Sequence, residues 1–237
     1  MTAEQHLSEL VEQLRSVVGG NLVAVVLHGS AATEEFQPEY SDLNVLCVVN
    51  DLSASAMRTL SPVLGWWAAF RYPAPLFFTL TELQISADVF PIEMLDIKER
   101  HKVLHGEDIF RDLQVPMALH RVQLEHELRT KLLFLRQHYM SISGDAARLR
   151  GLMLDSVANF LALFRHALIA MGENTSHRKN EVAQRAAAKL GFDPAPFEQL
   201  LQVREHKLKP ERLDPDTLFA AYLRAIDIVV KAVDSLS

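Results

Sequence analysis

Val26-Leu27-His28-Gly29-Ser30 closes one apolar run, and after eleven intervening residues Asp42-Leu43-Asn44-Val45-Leu46 opens another. The first run, Leu22–Leu27, is rich in valine; the second, Leu43–Val49, follows directly on Ser41-Asp42. Their length, composition and bounding turn residues predict two buried β-strands. A strand that ends in Gly-Ser and turns into a helix leaves free backbone N–H groups and a hydroxyl at a positive helix terminus. Gly29 and Ser30 therefore predict a phosphate cradle, the glycine allowing close approach. Asp42 and Asn44 stand two apart at the start of the next strand, so their side chains share a face and can converge on one cation. Asp88, in Ser86-Ala87-Asp88-Val89-Phe90, reads as part of a further strand, Ser86–Ile92, and is expected to add a third oxygen ligand. Mg²⁺ suits an oxygen-only site that also holds phosphates.

Outward from this stretch, the order is mixed α and β up to about residue 112. Leu7, Leu10, Val11, Leu14 and Val18 recur at helical spacing over residues 3 to 18, and Gly19-Gly20 forms a C-cap signal. Ser53 to Phe70 reads as helix with a break or kink at Pro62, Leu76–Leu80 as a strand, and Lys102–Leu104 as a short strand. From Pro116 onward only helical periodicity remains. Leu124, Leu128, Leu132, Leu135 and Tyr139 mark one helix; Asp145–Met171, Arg178–Leu190, Pro194–Arg204 and a last helix capped by Asp214 follow. The expected fold is α+β, a mixed sheet with helices over residues 1–113 followed by an all-α helical bundle over 114–237, with a substrate cleft between the two.

The pattern resembles the nucleotidyltransferase superfamily of the DNA polymerase β fold. That superfamily is marked by a hydrophobic-Gly-Ser element, an Asp-x-Asp pair about a dozen residues later, and a third Asp on a later strand. Gly29, Ser30, Asp42, Asn44 and Asp88 stand at the matching positions. The chain is most similar to small prokaryotic members that add a helical bundle, such as kanamycin and aminoglycoside adenylyltransferases and minimal nucleotidyltransferases. The resemblance implies Mg²⁺, ATP or another NTP as substrate, Asp42 and Asp88 in catalysis, and transfer of a nucleoside monophosphate to a hydroxyl of a small molecule or protein. It also implies homodimers, which are common in that family. The departure is Asn44, an amide where the family has its second carboxylate. A neutral oxygen and two N–H donors cannot bridge two metals. The chain therefore reads either as an enzyme of this type, with Glu93 or Glu39 supplying the missing anion, or as a degenerate module that binds a nucleotide or a partner protein.

Composition narrows the setting. Across 237 residues the net charge is −6 and the pI about 5.9, so no overall positive field attracts nucleic acid or an anionic membrane. The single cysteine, Cys47, lies in an apolar strand and reads as a small core hydrophobe. The charged N-terminal segment and the absence of an apolar run of about 20 residues predict a cytoplasmic protein with no membrane span. His28 reads as a partly buried, hydrogen-bonded histidine, and Trp66-Trp67 as core or interface. The cationic rows Arg129, Lys131, Arg136 and His177-Arg178-Lys179 read as solvated helix faces.

Overall fold

The structure, a computed structural model, describes residues 2–33, 39–40, 42–142 and 144–236. They form two compact units, Met1–Met117 and Ala118–Ser237. The first contains α1 (Ala3–Val18), β1 (Leu22–His28), β2 (Asn44–Val49), α2 (Ala54–Ala68), β3 (Leu76–Thr79), α3 (Leu80–Ser86), α4 (Pro91–Glu99) and β4 (His101–Gly106). The sheet order is β3-β2-β1-β4. β1 lies antiparallel to both β2 and β4, and β2 lies parallel to β3.

Apart from His28 at the end of β1 and Asn44 at the start of β2, both central strands are apolar because both of their faces are covered. Val25, Leu27, Val45, Cys47 and Val49 pack with Leu10 and Leu14 of α1 and Leu60, Val63 and Trp67 of α2. Ala24, Val26, Leu46 and Val48 point the other way, against Leu83 of α3, Met94 and Ile97 of α4, and Phe110. The side-chain period of 2 thus serves two cores at once, and no polar alternation is possible. Burial pushes the Cys47 thiol up to about 12, as befits a core hydrophobe.

Three local expectations fail here, each for a visible reason. Helix α2 continues without a break through Pro62, which lies on its exposed side together with Arg58, the residue whose carbonyl the proline cannot pair. Ser86–Ile92 is not a strand. Thr79 and Glu82 form a reciprocal capping box that starts α3, Asp88 falls in the turn that ends it, and Pro91 opens α4. Finally, among the described residues Gly29-Ser30 opens not a long helix but a four-residue 3₁₀ turn, Gly29–Ala32, closed by Thr33, which donates from its N–H to the Ser30 carbonyl at 3.1 Å.

The second unit holds α5 (His120–Ser141), α6 (Ala146–Ala170), α7 (Lys179–Leu190), α8 (Ala195–Arg204) and α9 (Pro215–Asp234). The apolar stripe of α5 is buried, as are twelve residues of α6, the helix whose length and hydropathy approach those of a membrane span. Phe164, Phe197 and Tyr222 stack in series with ring centroids 5.1 and 5.0 Å apart, and the Tyr222 hydroxyl reaches Ser156 Oγ at 3.0 Å. Arg129 and Arg136 face solvent and pair with Asp234 and Asp227 of α9, each at 2.7 Å. His177 departs from the solvated reading, being partly buried and receiving a hydrogen bond from Arg165 Nη2 at 3.2 Å.

Candidate functional site

The polar residues of interest gather at one end of the sheet. His28, the last residue of β1, is level with Asn44, the first of β2, and with His101, the first of β4. Directly opposed residues on antiparallel strands share a face. Asn44, His28 and His101 therefore form a polar row on the face that α3 and α4 cover, continuing the line of Leu46 and Val26. Immediately beyond His28 the chain enters the 3₁₀ turn Gly29–Ala32. Gly29 takes φ +73°, and a methyl group added there would stand 3.3 Å from the Asn44 amide nitrogen. The glycine is required on two counts, the left-handed backbone and the proximity of the Asn44 side chain.

His28 is held in an unusual state. Burial pushes it down to about 4 against the opposing pull of the Asp96 carboxylate, so its ring is neutral at physiological pH. Its buried Nε2 has no hydrogen-bond partner among the described residues, which corrects the expectation of a hydrogen-bonded histidine. His101 is the reverse case: Nδ1 faces the Ile97 carbonyl at 2.8 Å and Nε2 the Asp108 carboxylate at 2.9 Å. Burial would raise the Asp108 carboxyl, but the His101 hydrogen bond and charge, with the amides of Phe110 and Arg111, outweigh it and hold it below its ordinary value. Sequence reasoning passed over both His101 and Asp108. Their signal was a histidine at a strand start followed seven residues later by an Asp in Gly106-Glu107-Asp108, too common a pattern to single out.

A pH effect follows from His28. The unfolded chain takes up a proton at about 6.5 and the folded chain only near 4, so stability is complete above pH 6.5 and falls as the pH drops toward 4. The loss should reach on the order of 3 kcal/mol, from about 1.4 kcal/mol for each pKa unit. Urea unfolding at pH 7 and pH 4.5 should show the fall in the wild type and a clearly smaller one in His28→Gln. Equal falls in the two proteins would contradict this account of the buried ring.

The candidate metal ligands are distributed as follows. Asp42 is exposed, two residues ahead of Asn44 at the entrance to β2, and Asn44 is half-buried. Ser30 is partly exposed in the turn beside them. Asp88 is exposed in the turn between α3 and α4, Glu93 is exposed in the first turn of α4, and Glu39 is exposed in a turn before β2. The strand that does neighbour β2 is β3. Its pairing with β2 runs from Leu46 level with Leu76 to Val49 level with Thr79. Residues 68–81, which include β3 and its approach, contain no Asp or Glu. Among the described residues no group of three His, Cys, Asp or Glu side chains is placed to hold a metal ion.

The fold is a mixed four-stranded sheet with flanking helices followed by a helical bundle, and it is shared with a solved adenyltransferase. The chain is similar in structure to spectinomycin adenyltransferase AAD(9) from Enterococcus faecialis, solved with ATP and spectinomycin, over 99% of this chain and 100% of that one, with a TM-score of 0.61 and 14% identity. No protein-family model and no curated protein matches the sequence. At that identity the likeness speaks for the fold, and the chemistry has to be argued from the residues of this chain.

Proposed function

We propose that the chain binds ATP or another nucleoside triphosphate where β1 and β2 meet, with the phosphates against Gly29 and Ser30 and Asp42 at the rim. Transfer of the nucleoside monophosphate to a hydroxyl acceptor is slow or lost. The observation that carries this reading is the left-handed turn at Gly29 with the Asn44 amide packed on it, which leaves backbone and amide N–H groups together at the strand ends. The similar adenyltransferase was solved with ATP and spectinomycin, which supports a nucleotide and a small hydroxyl-bearing molecule as ligands here. The charge count favours binding over transfer. Two-metal chemistry draws on three carboxylates, and the row holding Asn44 contributes an amide in place of one of them.

Calorimetric titration with ATP, together with an assay for pyrophosphate release with aminoglycosides and other polyols as acceptors, tests both halves. Binding with a Kd below about 1 mM, that is, stronger than about −4 kcal/mol, is expected, with pyrophosphate release at the background rate. Brisk turnover that Asp42→Ala abolishes would instead make this chain an active transferase. Failure to bind any of the four ribonucleoside triphosphates at millimolar concentration would remove the nucleotide reading altogether.

A further inference from the structure

One ring ties three pieces of the first unit together. His101 opens β4 directly after α4, and its side chain is only 12% exposed. Its Nδ1 stands 2.8 Å from the Ile97 carbonyl in the last turn of α4, and its Nε2 stands 2.9 Å from Oδ1 of Asp108, just past the far end of the strand. The last carbonyls of a helix lack a backbone partner within it and form the negative end of its dipole. Asp108 is fixed as the anion. The same Oδ1 also accepts from the backbone N–H of Phe110 at 3.1 Å and of Arg111 at 3.2 Å. Burial would raise this carboxyl, but the bonds to it hold it below its ordinary value.

Both partners of the ring are acceptors only. A neutral imidazole has one N–H and one bare lone pair, so one of the two contacts would set lone pair against lone pair, and turning the ring over would put carbon atoms where the nitrogens now stand. We infer that His101 is an imidazolium donating from both nitrogens, and that this charge is the latch holding residues 107–113 against the C-terminal turn of α4. That segment is neither helix nor strand, so no ladder of its own backbone bonds keeps it in place. Its remaining anchors are Phe110, fully buried with its ring centroid 5.3 Å from that of His101, and the Leu113 carbonyl, which accepts from Lys98 Nζ of α4 at 2.6 Å. Lys98 thus secures the far end of the strap and His101 the near end. The other ionisable groups on this side are His28, level with His101 on β1 and neutral, and Asp96 of α4, whose carboxylate acts on His28. The latch requires no ligand and stands independently of the nucleotide reading.

The test is nitrogen-15 NMR of the imidazole rings in the full chain at pH 7, joined to amide hydrogen exchange. His101 should show two protonated ring nitrogens in the wild type, and only one in Asp108→Asn, which keeps the shape of the acceptor without its charge. In His101→Gln, which reaches Asp108 with a neutral donor at most, the amides of Phe110 and Arg111 should exchange about tenfold faster or more, as expected for a lost charge-assisted hydrogen bond. The amides of β1 and β2 should keep their wild-type rates, which marks the change as local to the strap. A single protonated nitrogen on His101 in the wild type would overturn the inference, with no variant needed. Equal exchange at Phe110 and Arg111 in the wild type and His101→Gln would overturn the latch.

Discussion

Gly29→Val is expected to weaken ATP binding by at least about thirtyfold, or roughly 2 kcal/mol, and to lower stability by about 1–3 kcal/mol. Two effects combine. The backbone at position 29 has φ +73°, which a β-branched residue adopts only under strain. A Cβ there would also stand 3.3 Å from the Asn44 amide nitrogen, closer than ordinary contact, so the branches of valine must displace that side chain. The substitution therefore fills the space a phosphate would approach and moves one of its donors. Isothermal titration with urea unfolding separates the two terms, and Gly29→Ala should show the same pattern with a smaller loss. Unchanged ATP affinity in a folded Gly29→Val protein would mean that the nucleotide, if bound, sits elsewhere.

The largest stability effect is expected at Trp67, where substitution by alanine should cost about 3–5 kcal/mol. The indole is completely buried among α1, α2 and the sheet, packs on Tyr72 with ring centroids 4.7 Å apart, and donates from Nε1 to the Pro73 carbonyl at 2.8 Å. Its removal leaves both a large cavity and an unmatched carbonyl. Because Tyr72 to Pro75 is the approach to β3, the loss should also loosen the edge of the sheet. Trp67→Phe, which keeps most of the volume but not the N–H, should cost less, about 1–2 kcal/mol. A loss below 1 kcal/mol for the alanine variant, measured by denaturant unfolding, would contradict the role given to this ring.

The two central strands and the five helices of the second unit were legible because their signals are local and repeated. Leu22–Leu27 is apolar at every step and Leu43–Val49 at all but Asn44, and the α5 stripe from Leu124 to Leu135 recurs at three and four. The region after β3 was misread. Ser86 to Ile92 carries apolar residues in a loose alternation that imitates a strand, while the decisive cues, a capping box at Thr79 and Glu82 and a proline at the first position of α4, are short and lie at its borders. That error placed Asp88 on a strand it does not occupy. The second partner of β2 is set by long-range pairing with β3, which no local pattern announces. The same holds for His101, brought level with His28 only by the β1–β4 register.

At Gly29 and Asn44 the position was legible while the chemistry was only half so. The spacing of Gly-Ser to Asp-x-Asn located the turn and the adjacent strand, since two residues on one face of a strand must lie together. Among the described residues the helix expected after Ser30 is a four-residue 3₁₀ turn, too short to carry a helix dipole. His28 was read as hydrogen-bonded because burial of a polar ring usually demands a partner; its Nε2 breaks that rule among the described residues.

The most direct measurement is a crystal structure of the chain grown with a non-hydrolysable ATP analogue. The account predicts triphosphate density with an oxygen within hydrogen-bond distance of the Ser30 backbone N–H and of the Asn44 amide. A triphosphate bound away from this turn, or none at millimolar analogue, would contradict it.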